Sequence, residues 1–186
     1  MLGETEQRSV ISTSGAMVGD DIVLTKGIAI EGTAVLAREL KQSLFSAGIS
    51  DKVVARAADY LFSPGISVLR EAQIACSTVN VHSMHDPTEG GLATGLLEIA
   101  LAAKVGILLE EEKIPLLPEC RTICEGISVD PLGLLASGAL LITLPASDTS
   151  RLLEELLGAG IKATVIGKVV EAKDGVKLHT ATGTKD

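Results

Sequence analysis

With 186 residues, 46% hydrophobic and 22% charged, the chain has the size and composition of one globular domain. A chain of that length buries about 70% of its unfolded surface without disulfide or metal staples. A net charge of −8 and only three aromatic residues, Phe45, Tyr60 and Phe62, exclude a nucleic-acid surface, which needs clustered cations and stacking rings. No apolar run approaches the roughly 18 residues of a membrane span and no signal peptide opens the chain, so a cytoplasmic protein with no membrane or nucleic-acid partner is expected.

Residues 1–7 are polar, and Arg8–Ser12 can form an edge strand. Ile22–Thr25 is too apolar to be half exposed and reads as a buried strand. Gly27 and Gly32 bracket a loop, and a helix is expected from about Thr33, with Val35, Leu36 and Leu40 inward. Ser50 and Asp51 cap a second helix, which Ser63-Pro64-Gly65 ends. Ser67–Ser77 is a third, carrying Val68, Leu69 and Ala72. A short apolar run, Val79–Met84, then leads to a polar glycine turn and a helix whose Leu92, Leu96, Ile99 and Ala103 share one face.

Val105–Glu110 reads as a strand ending in the solvated run Glu110–Glu112. Pro115–Pro118 opens a helix through Cys124, and Asp130 with Pro131 caps a brief helical turn. Gly138–Leu144 is unbroken and apolar, hence central. Ser147 or Asp148 caps an amphipathic helix through Leu157. Thr164–Val170 is a strand, Asp174-Gly175 a two-residue hairpin turn, and Val176–His179 the returning strand. Irregular alternation of this kind favours an α+β fold, a three-layer α/β/α sandwich with a mixed sheet. Leu24, Leu92, Leu96, Ile99, Leu141, Leu156 and Ile166 are its expected core. Cys76, Cys120 and Cys124 form no C-x-x-C pair and read as unpaired thiols in a reducing cytosol.

The stretch with most chemical content is Met84-His85-Asp86-Pro87-Thr88-Glu89-Gly90-Gly91-Leu92. Asp86 is placed to be an N-cap, Pro87 the first helical residue and Glu89 the partner in a capping box. Bare glycines in a first turn leave N–H groups open to an anion. The competing reading is a well-capped helix with Gly91 and Gly95 admitting a close backbone. Ligand sites in open sheets form at strand C-termini and helix N-termini, so Lys26–Thr33 and Met84–Gly91 are two corners that make a site if they adjoin. Lys26 then neutralises phosphate charge, the turn at Thr88, Gly90 and Gly91 donates to it, and His85 serves as donor or acid/base. Asp86 is explained by a bridging Mg²⁺ shared with phosphate oxygens. No P-loop, dinucleotide fingerprint or G-x-S-x-G elbow is present.

The run His85-Asp86-Pro87-Thr88-x-Gly90-Gly91-Leu92-Ala93 resembles the signature of the C-terminal domain of the AIR synthase-related (PurM) superfamily, nearest to its hydrogenase expression/formation (HypE-type) branch. Gly19-Asp20-Asp21-Ile22-Val23-Leu24-Thr25 and Ala136–Ile142 are similar to two further blocks of that domain, in family order. The resemblance implies a domain over residues 18–180, with 1–17 an extension or linker remnant and 181–186 a disordered tail. It also implies ATP and Mg²⁺ as cofactors, bound in a cleft shared with an N-terminal ATP-binding half, and a homodimer built on the N-terminal halves. Catalytic roles fall on His85 and Asp86, nucleotide contacts on Lys26, Thr88, Gly90 and Gly91, and the metal on Asp86.

Hydrogenase-branch members dehydrate a carbamoyl group on their own C-terminal cysteine. This chain ends Gly183-Thr184-Lys185-Asp186, has Glu89 where that branch has arginine and Ser137 where it has an acid. The Leu-Thr-Lys run and the Ser-Gly-x-Leu-Leu strand are more similar to the selenophosphate synthetase branch. The chain by itself is therefore expected to be an inactive half of an ATP-dependent enzyme. The alternatives are another superfamily branch or a non-catalytic assembly module that kept the fold.

Overall fold

The computed structural model describes residues 10–185. Strand β1 (Asp21–Thr25) is buried along its whole length, as expected of an apolar run covered on both faces. Its alternation assigns the layers. Ile22 and Leu24 meet Leu92, Leu96 and Ile99 of helix α5 (Gly91–Ala103) and the two cysteines of α6 (Pro118–Ile127). Val23 faces the opposite side with Ala75 of α4 (Leu69–Thr78) and Leu152 and Leu156 of α7 (Ala146–Gly158). Helices thus cover both faces of one sheet. Helices α1 (Ile30–Glu39), α2 (Lys41–Ser46) and α3 (Asp51–Ala58) extend the α6 side through Ala37, Leu44, Val54 and Ile123. The seven core residues expected from the sequence are all buried, each worth about 1.5–3 kcal/mol for a fully buried aliphatic chain.

The other strands are β2 (Ser83–His85), β3 (Gly106–Glu110), β4 (Leu141–Leu144), β5 (Ala163–Val170), β6 (Val176–Thr180) and β7 (Gly183–Lys185). The sheet order is β2-β4-β1-β5-β3-β6-β7. Neighbours are antiparallel except β3 and β6, which run parallel. The sheet is therefore mixed, as expected.

Several local expectations are overturned. Asp174-Gly175 is not a hairpin turn: β5 already has β1 and β3 on its two edges, so the 171–175 connection crosses the start of β3 and lays β6 on the far side. Gly106 allows this crossing, since a Cβ there would stand 2.4 Å from the Glu171 carbonyl oxygen. Residues 183–185 are not a disordered tail but pair with β6, across a turn in which Thr180 Oγ1 donates to Gly183 O at 2.9 Å. The edge strand expected at Arg8–Ser12 lies partly outside the described residues, and residues 10–12 carry no strand. Thr13–Gly15 is instead a 3-10 turn packed on the outer side of β2, where a Cβ on Gly15 would meet the His82 carbonyl oxygen at 1.9 Å. That cover shields an otherwise open sheet edge.

Helix α1 starts at Ile30, after left-handed Ala29 (φ 57), and turns its small residues inward. Gly32 N–H donates to Leu135 O at 2.9 Å, and this close approach rotates Val35 and Leu40 outward. In α4 the inward residues are Glu71 and Ala75, while Leu69 is exposed. Helix α7 is preceded by Pro145 rather than capped by Ser147 or Asp148. The strand expected over Gly138–Leu144 is confined to Leu141–Leu144, because Gly138 takes φ 106 in the turn before it.

Candidate functional site

The strand registers bring the two glycine corners together. His85 pairs with Leu141, and Leu141 with Leu24, so the C-terminal ends of β1 and β2 lie at one end of the sheet beside the entry to β4. Segment 130–140 stitches them. Leu140 N–H donates to Thr25 Oγ1 at 2.9 Å, Gly32 N–H to Leu135 O at 2.9 Å, and Ala136 N–H to Thr88 O at 3.1 Å. Asp130 accepts from Leu132 N–H at 2.9 Å, capping the turn as its sequence predicts.

The helix after β2 does not begin where the Asp-Pro signal places it. Its N-cap is Gly90 at φ 77, with no side-chain cap, and Gly91 follows at φ 68. Asp86 is therefore not an N-cap, Pro87 is not the first helical residue, and Glu89 completes no capping box. The reason is steric and backbone-driven. Two successive left-handed residues are open to glycine at little cost. A Cβ on Gly91 would sit 2.4 Å from Leu132 O, and one on Gly90 2.1 Å from Thr94 Oγ1. Pro87 is buried instead against Gly95, whose Cβ would meet Pro87 Cβ at 2.7 Å. Residues 86–90 become an outward loop, and the Gly91 N–H is taken by Thr88 O at 3.2 Å.

Asp86 is exposed on this loop. Partial desolvation pushes its carboxyl up from the ordinary range; His85 and Lys26 pull the other way, and Glu31 adds to the rise. No donor among the described residues holds its carboxylate. Lys26, at φ 57, is turned inward rather than toward the shelf. Its Nζ donates to Gly65 O at 3.2 Å and Ser67 O at 2.8 Å and pairs with buried Glu71 at 2.7 Å. Two carbonyl oxygens and the Glu71 carboxylate thus surround the ammonium, so Lys26 acts on the corner by charge and not by the direct phosphate contact expected of it. Both ring nitrogens of His85 are engaged as well: Nε2 with Glu98 Oε2 at 2.8 Å and Nδ1 with Thr13 Oγ1 at 3.3 Å. Thr88 and Gly90 are exposed beside Asp86.

Sequence reasoning missed Glu31, Glu71, Glu98 and Thr13. Glu98 had a signal, being the one charged residue in the apolar helix 91–103. Glu71 had none, since a helical glutamate reads as surface.

Among the described residues no three His, Cys, Asp or Glu side chains converge as a metal cage. All three thiols are free. Cys120 and Cys124 are buried with sulfurs 3.9 Å apart, and sharing a proton lowers the Cys120 thiol and raises that of Cys124. A groove of about 1130 Å³ lies further along α5, lined by Leu92, Leu96, Leu132 and Leu178. Asp86, Thr88 and Gly90 do not line it. Their corner is an open shelf.

The fold is thus a mixed sheet covered by helices on both faces, with an exposed acidic corner where two strand ends meet. The family model for the AIR synthase related protein, C-terminal domain, matches residues 17–179, and the chain belongs to that family. It is 33% identical over 185 residues to the carbamoyl dehydratase HypE of Cupriavidus necator, covering 94% of this chain and 47% of the relative. The crystal structure of Escherichia coli HypE superposes with a TM-score of 0.74 at 24% identity, over 94% of this chain and 51% of that one. The hydrogenase maturation protein HypE in complex with ATP gives a TM-score of 0.71 at 25% identity, over 98% of this chain and 54% of that one. The chain thus spans about half the length of the relatives it matches.

Proposed function

We propose that this chain forms the C-terminal wall of an ATP-using cleft in a hydrogenase-maturation-type enzyme, with the Asp86 shelf facing the nucleotide phosphates. One observation carries the reading: Asp86 is a carboxylate without a donor among the described residues, presented where three backbone segments converge. Asp86 with Glu31 in electrostatic reach is a donor set suited to a hard divalent ion. Mg²⁺ usually takes only one or two carboxylates and fills its shell with phosphate and water. When bound, the ion supplies charge neutralisation at the phosphates. The chain's own residues orient and hold: Thr88 offers a hydroxyl beside Asp86, and Lys26 and His85 bias Asp86 toward its ionised form. An N-terminal ATP-binding half completes the cleft, in a cytoplasmic homodimer. Half a cleft supplies half the contacts against the same loss of ligand freedom. The chain by itself is therefore expected to bind Mg·ATP at about millimolar or weaker.

The test is ATP hydrolysis by the chain joined to its N-terminal half. Asp86→Ala should lower turnover about a hundredfold, and Cys76→Ala should leave it unchanged. Full turnover in folded Asp86→Ala would reject the shelf as the phosphate-facing wall. A non-catalytic assembly module is the second reading, favoured by one finding: Gly90, Gly91 and Lys26 all have structural duties that need no ligand. It requires that no variant of the shelf alter nucleotide affinity in the joined protein.

A further inference from the structure

We propose that Glu98 is a positioning residue for Asp86, acting through His85. The inference rests on the reading of the Asp86 shelf given above. Residues 85–87 are seated on α5 at two points one turn apart. At Gly95 the missing side chain admits His85 Cδ2 and Pro87, which a Cβ would meet at 3.2 and 2.7 Å. At Glu98 a carboxylate oxygen forms an ion-pair contact with His85 Nε2 at 2.8 Å. The Thr13 hydroxyl closes the other side of the ring, 3.3 Å from Nδ1 and 3.5 Å from the Met84 carbonyl oxygen. Gly95 sets how close the segment lies, and Glu98 sets the rotation of the ring. Asp86 sits between the two seated residues and is exposed, whereas Pro87 is buried against Gly95. A carboxylate acting on phosphate or its ion must be held to a fraction of an ångström. No hydrogen bond reaches Asp86 itself among the described residues, so the clamp on its neighbours supplies that precision. With Glu98 accepting at Nε2, the ring is fixed as the tautomer protonated there, as second-shell carboxylates fix metal-bound histidines.

The experiment has two arms. In the first, ¹⁵N–¹H long-range spectra of the labelled chain are recorded at a pH well above the ordinary histidine range, with His85 assigned from its loss in His85→Gln. Wild type and Glu98→Gln should show one His85 tautomer with the proton on Nε2. Glu98→Ala should show a mixture, and Thr13→Val should leave Nε2 protonated. The side chain of Glu98 is 54% exposed, so these variants are expected to fold. In the second arm, ATP turnover is measured on the chain joined to its N-terminal half. Glu98→Ala should lower kcat about tenfold with KM within about twofold, and Glu98→Gln should stay within about threefold of wild type. An unchanged His85 spectrum in Glu98→Ala overturns the proposal, and so does equal loss of turnover in Glu98→Ala and Glu98→Gln. Should Asp86→Ala turn over normally, the shelf reading falls while the spectra still decide whether Glu98 locks His85.

Discussion

The two ends of the central sheet are both rich in carboxylates, and they treat them in opposite ways. At the end where β1 begins, Asp21 accepts from Thr149 Oγ1 at 2.8 Å and from Lys168. Beside it, Asp20 accepts from His82 Nδ1 at 2.9 Å and from the Met17 N–H at 2.9 Å. Both aspartates are buried. At the end where β1 finishes, Asp86 is exposed, without donors among the described residues, and pushed up by desolvation. Buried charges are tolerated when paired and hydrogen-bonded; an unpaired one beside a partly dry shelf costs stability. The saturated end serves folding; on the proposed reading, the unsaturated end is the one that faces a ligand.

The sharpest way to break this comparison is to remove one carboxylate from each end. Asp21→Ala leaves the Thr149 hydroxyl buried without an acceptor and Lys168 without its partner. It should destabilise by about 2–3 kcal/mol, reduced below a fully buried pair because Lys168 is half exposed. Asp86→Ala should change stability by less than about 0.5 kcal/mol while abolishing most turnover in the joined protein. Urea denaturation of the two variants decides this, and comparable losses of stability would erase the distinction.

The glycine pair sharpens it further. Gly91 is left-handed and lies against backbone oxygens that cannot give way. Gly91→Ala should therefore cost about 2–3 kcal/mol by adding a clash to the roughly 1–2 kcal/mol of left-handed strain. At Gly90 the obstacle is a threonine side chain able to rotate, so Gly90→Ala should cost only the strain. Equal losses in thermal or urea denaturation would show that the Leu132 contact is not what fixes the turn.

These contrasts also explain what the sequence made legible. Strand β1 could be read because the run Ile22-Val23-Leu24 before Thr25 is too apolar to be half exposed, and the α5 face because Leu92, Leu96 and Ile99 recur at helical spacing. The Asp130 cap was legible because it is local: the Asp-Pro signal and the turn it caps span four residues. The same Asp-Pro signal at Asp86 misled, since segment 130–136, far away in sequence, takes the Thr88 carbonyl and forces Gly90 and Gly91 into left-handed geometry. The false hairpin at Asp174-Gly175 has the same origin, a local turn signal overruled by β3 already occupying the edge of β5. Of the candidate site, the adjacency of the two corners was foreseeable from strand ends. The inward turn of Lys26 was not, because Glu71, Gly65 and Ser67 lie on an element that sequence alone does not place beside it.

The smallest effect lies in acid. Glu119 accepts from Tyr60 Oη at 2.7 Å, and that bond first, then Arg56, holds its carboxyl below the ordinary range. Asp86 is shifted upward. A depressed carboxyl contributes stability that is present above its unfolded pKa and is lost as pH falls through the folded pKa. A raised one does the reverse: it costs stability at neutral pH, and the cost is relieved as pH falls through the raised folded pKa toward the unfolded value. Tyr60→Phe should therefore remove about 1 kcal/mol near neutrality and flatten the acid limb of the stability profile, since the bond it deletes is the one acid would have broken. Asp86→Asn should raise stability near neutrality by no more than a few tenths of a kcal/mol, because an exposed group is screened by solvent, and this gain should vanish in acid. Denaturation midpoints of wild type and both variants, measured from neutral pH down through the carboxylate range, read the two signs directly. A stability loss in Asp86→Asn near neutrality that shrank toward acid would mean Asp86 is held as an anion by contacts like those of Asp21, and the two ends of the sheet would no longer differ.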